Sequence, residues 1–391
     1  MKPDSLRKIL LLTWILVIHC NILPAIVPSD NTPVKLPNRI YSGLQGKHHV
    51  QGIAIDREKG HMYFSFTTKL IKTDLQGTLI GSVEGLTGHL GCLTFNPEDG
   101  QVYGSLEYKN DAIGKGIAGE EASRKESAFY IAIFDTDKIT RPQMDAEKDG
   151  IMTTVYLKEV ADDYYATDTN HGNPVDHRYG CSGIDGVSFA PKAGKKKGKT
   201  YLYVAYGIYG DNKRTDNDYQ VLLEYDIKNW KKYAQALSQG APHKQGPSKP
   251  NEKYFVFTGN TTYGIQNLAY DPASGNTYAA VYKGKKEIYP NYSLFVIDWN
   301  KPARKMQLKG FDRKEVRKVL SLCNQGLYDK ESGVYGWNFR WGATGLCPLG
   351  NGYFYISHDS NKPLQNSTVH LYKWTGNPDN PFQSVVREND M

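Results

Sequence analysis

A glycine-led apolar strand, a tight turn and a tyrosine-rich strand recur five times in this chain, and that recurrence limits the folds open to it. The copies are HVQGIAIDREKGHMYFSF, HLGCLTFNPEDGQVYGSLE, GIDGVSFAPKAGKKKGKTYLYVAYG, GIQNLAYDPASGNTYAAVYK and ATGLCPLGNGYFYISHD. Aligning Gly52, Gly91, Gly186, Asn267 and Gly345 gives spacings of 39, 95, 81 and 78 residues. Each copy leads into a third alternating run: KLIKTDLQG, FYIAIFDTDK, VLLEYDIKNW, SLFVIDWNK and VHLYKWTG. A fourth run often follows, as TLIGSVEG, TTVYLKEV, KYFVFTGN and FQSVVRE. Alternation at every second residue marks a half-buried strand. Repeated units of three or four short strands build a β-propeller. The expected fold is therefore all-β, a five-bladed propeller, with six or seven blades as the alternative that the uneven spacings leave open. The fourth unit has the poorest fourth run, with 304–322 as its candidate. Helix is expected only at 230–239 and 311–322.

In such a blade the innermost strand, A, leaves one face and strand B returns to it. The segment before A and the segment after B therefore open on the same side. The long irregular stretches, 107–127, 161–182, 207–218, 283–292 and 323–342, all fall before an A strand or after a B strand. One face is elaborated and the other is mostly short turns. Long loops gathered on one side of a rigid scaffold are where function usually sits.

The N-terminus, MKPDSLRKILLLTWILVIHC, has a basic start and an apolar run too short to span a membrane. It reads as a signal peptide over 1–25, with mature chain starting within 20–30. An N-terminal segment, 26–46, and one propeller domain, 47–391, follow. Export to a periplasmic, cell-surface or extracellular place is expected. Lipid attachment at Cys20 is not favoured, because His19 stands where a small residue is usual. Cys92, Cys181, Cys323 and Cys347 fit no zinc or CxxC spacing, and a Cys323–Cys347 disulfide is compatible with export. The balance of 48 Lys+Arg against 41 Asp+Glu, a net +7, mildly favours an acidic partner. No basic helix or basic–aromatic stripe points to nucleic acid, and GxSxG, P-loop and HExxH motifs are absent.

The elaborated face then selects the candidates. Just before the aligned glycines stand Gln51, Leu90 or Gly91, Asp185, Gln266 and Thr344, with His49 and His89 two residues further back in the first two units. His48 adds a third imidazole. B-strand ends supply Glu107, Tyr108, Lys109, Tyr206, Tyr209, Asp211, Tyr282, Lys283, His358 and Asp359. The loops before A strands add His177, Arg178, Tyr179, Tyr263, Arg340 and Trp341. His49, His89, Glu107 and Asp185 are the expected catalytic groups, since imidazole titrates near neutral pH and carboxyls are natural partners in proton transfer. Arg178, Arg340, Lys109 or Lys283 would pair an acidic substrate. Tyr179, Tyr263 and Trp341 would stack on sugar faces. His48, Gln51, His177, Tyr209, Gln266 and His358 complete the expected substrate lining. The histidines with Glu107 or Asp185 also suit a divalent metal such as Ca, Mn or Zn by ligand type, though no motif of fixed spacing requires one.

The run MYFSFTTKLIKTDLQGTLIGSVEGLTGHLGC, with QVYGSLEYKNDAIGKGI, resembles exported propeller proteins of gut bacteria, most of them without an assigned activity. More loosely, the chain is similar to propeller carbohydrate enzymes: five-bladed furanosidases, and larger-bladed lyases and hydrolases of uronic-acid glycans. The furanosidase resemblance implies three carboxylates on successive innermost strands. Only Asp185 fills such a place, and Gln51, Gln266 and Thr344 hold the others. The expectation is a secreted hydrolase or lyase on an acidic glycan. The alternatives are a non-catalytic propeller binding a glycan or protein, and a metal-dependent lactone or phosphoester hydrolase.

Overall fold

The structure is a computed structural model that describes residues 36–119 and 126–385. The leader assigned to 1–25 lies outside the described residues. Five antiparallel blades stand around an axis, and their innermost strands pack side by side until the fifth meets the first. Blade 1 comprises Gly52–Asp56, His61–Ser65, Leu70–Asp74 and Leu79–Glu84. Blade 2 comprises His89–Asn96, Gln101–Tyr108, Ala128–Asp135 and Met152–Tyr156. Blade 3 comprises Cys181–Pro191, Thr200–Ile208, Tyr219–Tyr225 and Glu252–Phe257. Blade 4 has Thr261–Asp271, Asn276–Lys283 and Leu294–Ile297, and blade 5 has Leu346–Gly350, Tyr353–Ser360 and Asn366–Trp374. Two short strands share the outer edge of blade 5. Arg39–Tyr41 pairs with 368–370, and Phe382–Ser384 pairs with 372–374. Part of the 26–46 segment thus belongs to the propeller, and the first and last described strands share one blade.

The repeated turns explain the repeated sequence. Strand A of blades 1, 2 and 4 ends in Asp56, Asn96 or Asp271, whose side-chain oxygen accepts from the backbone N–H groups that follow it. Four residues on, Gly60, Gly100 and Gly275 take φ of 67°, 69° and 68°, where a side chain would be strained. Apolar faces then pack between neighbouring blades. Ile53, Phe64 and Ile71 of blade 1 meet Tyr355, Val369 and Leu371 of blade 5, all buried.

The aligned glycines form the neck of the axis. A Cβ on Gly52 would lie 2.7 Å from Cys92 Cα, so the first two A strands can approach only without a side chain there. Blade 4 has Asn267 at this place. Its fully buried amide donates to Gln51 O (2.9 Å) and Ala343 O (2.8 Å), tying blade 4 to blades 1 and 5. Asn267→Ala should leave both carbonyls unsatisfied and lower stability by about 1–3 kcal/mol in urea titration. A loss near zero would mean that water replaces the amide.

Three expectations need correction. First, 304–322 does not complete blade 4. Arg304–Gln307 and Val316–Leu320 pair with each other, and the second runs parallel to Glu252–Phe257 on the edge of blade 3. Buried Glu315 holds them there by accepting from Tyr179 OH and pairing with Arg313 and Arg317. The open side of blade 4 meets only the end of that segment, through a bridge between Ile297 and Leu322, and exchanges backbone hydrogen bonds between Leu294 and Trp337. Second, helix is misplaced: 311–322 holds the strand Val316–Leu320, and 230–239 holds the end of a short 3₁₀ turn, Ile227–Lys232, and the strand Gln235–Ala236 on the edge of blade 2. Helices occur at Ala112–Ala118 (α1) and Lys158–Tyr164 (α2). α2 buries Val160, Ala161 and Tyr164, one face of a helix that the preceding strand alternation masks. Third, the four cysteines in the propeller are free thiols, so Cys323 and Cys347 form no disulfide. Among the described residues no helix is long and apolar enough to cross a membrane.

Candidate active site

The elaborated face converges on a polar cluster at the axis. His89 opens strand A of blade 2 and lies opposite Glu107 on strand B. Its Nδ1 is 3.7 Å from Glu107 Oε1 and 3.7 Å from Asp185 Oδ1 of blade 3. That nitrogen is buried without a hydrogen-bond partner among the described residues, and it lies between two carboxyl groups. Glu107 is seated from three sides. Lys109 Nζ is 2.7 Å from Oε1, Ile184 N–H donates to Oε2 at 3.1 Å, and Gly183 lies against it. A Cβ on Gly183 would come within 2.0 Å of Glu107 Oε2, and its φ of 125° also favours glycine, so the bulge in blade 3 is shaped around that carboxylate.

Lys109 is 6% exposed in its side chain, lies 3.7 Å from Asp111 Oδ2 and donates to Ser182 O. Tyr209 OH donates to Asp111 Oδ2 at 2.9 Å. On the other flank Gln266 Nε2 donates to Asp185 Oδ2 (2.9 Å) and Tyr263 O (3.0 Å). Gln51 Nε2 lies 3.1 Å from both His49 Nε2 and Thr67 Oγ1.

Charge settles within this cluster by burial and pairing. Burial, then the neighbouring Glu107 charge, raises the Asp185 carboxyl well above the usual carboxylate range, against Lys109 and Gln266. Burial raises Glu107 too, but Glu107 has the ammonium and the Ile184 amide. Of the two, Glu107 therefore holds the charge and Asp185 the proton. Burial takes His89 down to about 3, with Lys109 and the imidazoles of His49 and His48 adding to the effect, so it is neutral at ordinary pH. Burial lowers His49 and His48 as well. Asp111 is lowered: burial opposes this, but Lys109, the Gly114 N–H and Tyr209 outweigh it.

His89, Glu107, Lys109, Asp185, Tyr209 and Gln266 thus belong to one polar network, which Tyr263 joins through its backbone carbonyl, while Gln51 contacts His49, and His49 and His48 lie within electrostatic reach of His89. Lys109 departs from its expected role, because its ammonium already pairs Glu107 and Asp111 rather than facing a ligand. Arg178 pairs with Asp163 at 3.2 Å on α2. Tyr179 is 2% exposed, packed on Phe255 and Phe311, and cannot stack on a sugar. His177 donates from Nδ1 to Tyr164 O (2.6 Å) between the rings of Tyr164 and Tyr209. Trp341 stacks on His358 at 3.9 Å and carries Arg340 on its ring, so its flat surface is engaged. Among the described residues no group of three His, Cys, Asp or Glu side chains is placed to hold a metal ion. The cation beside Glu107 is Lys109.

Two participants escaped the sequence reading. Asp111 sits in a long connection with no period to mark it, although K-x-D after a B strand was visible. Tyr282 was noted only as a strand end. It lines a cavity of about 420 Å³ with Lys283, Asn338 and Arg340, and burial, with Asp185, Asp359 and Tyr263 nearby, pushes its phenol up to about 12. A larger cavity of about 690 Å³ opens at the A–B turns of the opposite face, walled by Ile55, Phe95, Phe189, Tyr270 and Pro348. The acid–base residues do not line it.

No protein-family model matches the chain, and no curated protein does. Solved structures similar to it include an exo-1,5-α-L-arabinanase from a bovine ruminal metagenomic library, at 12% identity over 88% of this chain and 99% of that one, with a TM-score of 0.38. The Dos1 propeller is similar at 11% identity over 88% and 70%, with a TM-score of 0.35. The PQQ domain of a pyranose dehydrogenase from Coprinopsis cinerea is similar at 11% over 82% and 81%, with a TM-score of 0.34. Likeness this low assigns no chemistry, and the propeller is established by the five sheets themselves.

Proposed function

We propose that this chain is an exported enzyme that cleaves a carbohydrate by general acid–base catalysis at the propeller axis. The observation that supports it is the unpartnered Nδ1 of neutral His89, held 3.7 Å from a charged carboxylate and 3.7 Å from one that keeps its proton. Asp185 is the proton donor to a departing sugar oxygen. His89 takes a proton from water in a hydrolase or from a carbon acid in a lyase, and Glu107 stabilises the imidazolium that results. Lys109 and the Ile184 N–H hold Glu107 in place and charged. Tyr263, with 41% of its surface exposed, is the open aromatic ring for a sugar face.

The test is a panel of plant and animal oligosaccharides, read for new reducing ends and for the ultraviolet absorbance of an unsaturated sugar. Reducing ends alone indicate hydrolysis, and both signals indicate elimination. Wild-type rates from the His89→Ala/Asp185→Asn double variant, or no cleavage across the panel, would reject the proposal. Export belongs to the same proposal, and N-terminal sequencing of the protein recovered outside the cytoplasm tests it.

The pH profile should be bell-shaped. His89 acts as base only when unprotonated, so the acid limb follows its lowered pKa. Asp185 acts as acid only when protonated, so the alkaline limb lies above the ordinary carboxylate range. Asp185→Asn should abolish the alkaline limb in whatever activity remains. A wild-type profile with no alkaline limb, or an alkaline limb that Asp185→Asn leaves unchanged, contradicts this assignment.

A further inference from the structure

Resting on that reading of the axis, we propose that the cavity beside it is a subsite for a carboxylate-bearing sugar, so that the substrate is a uronate-containing glycan. The cavity holds about 420 Å³, within the roughly 300–1,000 Å³ of small-molecule pockets. Lys283 and Arg340 line it with Tyr282 and Asn338, and no carboxylate does. Neither cation has a carboxylate partner among the described residues. The other cations expected to meet an acidic substrate are already engaged, Lys109 by Glu107 and Asp111, and Arg178 by Asp163.

Arg340 is also held ready. Its guanidinium lies 4.5 Å over the Trp341 ring, Trp341 stacks on His358 at 3.9 Å, and His358 lies 4.2 Å from His370. Tyr372 OH and His358 Nε2 are 3.0 Å apart and fix the imidazole, while Ser293 Oγ donates to Phe339 O and accepts from Phe339 N–H, fixing the backbone next to Arg340. A guanidinium stacked this way keeps its N–H edge free for the planar fork of a carboxylate. His358 and Trp341 thus act as positioning residues. The subsite adjoins the proton donor through Gln266, which bonds both Asp185 and Tyr263 O, and through Tyr263, whose ring meets Tyr282 edge-on at 6.4 Å.

Calorimetry on the full-length mature protein tests this with three trisaccharides: a uronate, its carboxyl-reduced neutral counterpart, and that reduced sugar carrying a sulfate in place of the carboxylate. The uronate should bind at least ~10-fold tighter than its reduced form, with a preference that shrinks as salt rises. Arg340→Gln/Lys283→Gln should erase that preference. Asp185→Asn, which removes a proton donor but no cation, should keep it. Equal binding of uronate and reduced sugar, no binding of either at millimolar concentration, stronger binding of the sulfated sugar, or an unchanged preference in the double variant each overturns the subsite. If the subsite holds but Asp185→Asn cleaves the uronate at the wild-type rate, the acid–base assignment fails alone.

Discussion

Asp185→Asn is expected to lower kcat by about 10²- to 10⁴-fold, the usual contribution of one positioned general acid, without unfolding the protein. The amide is nearly isosteric, and its oxygen can still accept from Gln266 Nε2, which now bonds Asp185 Oδ2 at 2.9 Å. Stability should change in the opposite direction to activity. The folded protein raises the pKa of Asp185 above its unfolded value, so the stability linked to its proton is complete below the unfolded pKa. That stability is lost as pH rises through the folded value. Asparagine does not titrate, so the variant should melt higher than wild type on the alkaline side and gain least in acid. Activity within about 10-fold of wild type, or a lower melting temperature at alkaline pH, would remove Asp185 from the role of proton donor.

Lys109→Met should be the most destabilising single change at the axis, at about 3–5 kcal/mol near neutral pH, the range for leaving a buried charge unpaired. Glu107 is 3% exposed in its side chain and would lose its ammonium at 2.7 Å while Asp111 and Asp185 remain close. The folded variant can relieve this only by protonating Glu107, which raises that carboxyl further. By the same linkage the deficit should be small in mild acid and grow as pH rises. Glu107→Gln placed on top should recover a large part of the loss, because the amide needs no counter-ion. Chemical denaturation of the single and double variants at acidic and alkaline pH separates these outcomes. A loss independent of pH would mean that the Lys109 stem acts by packing and not by charge.

These two residues show how far the sequence could be read. Asp185 was recognisable because it precedes an aligned glycine on an innermost strand, where strand geometry points alternate side chains to the axis. Glu107 and His89 were recognisable as the ends of paired strands facing one another across a short turn. Lys109 was recognised as a cation at the site, yet its work is internal. Nothing in the local pattern tells a lysine that meets a substrate from one that meets Glu107. Tyr179, Arg178 and Trp341 failed for a related reason. Each is the right residue type on the right connection, but buried Glu315, α2 or the blade-5 histidines take it up first.

The sequence by itself pointed to five blades, with six or seven left open, and to the face that gathers the long connections. Both follow from local rules: alternation, turns capped by Asp or Asn with a glycine four residues on, and the side on which long connections must emerge. Only the tertiary structure decided which charges are spent on one another. It gave Lys109 to Glu107, the 304–322 strands to blade 3, and the proton of the carboxyl pair to Asp185. Among the described residues it left Lys283 and Arg340 without carboxylate partners. Those outcomes depend on side-chain distances under 4 Å, as for Lys109 and Glu107 at 2.7 Å within blade 2 and His89 and Asp185 at 3.7 Å between blades 2 and 3. Burial then amplifies such charge interactions, and no pattern along the chain encodes it.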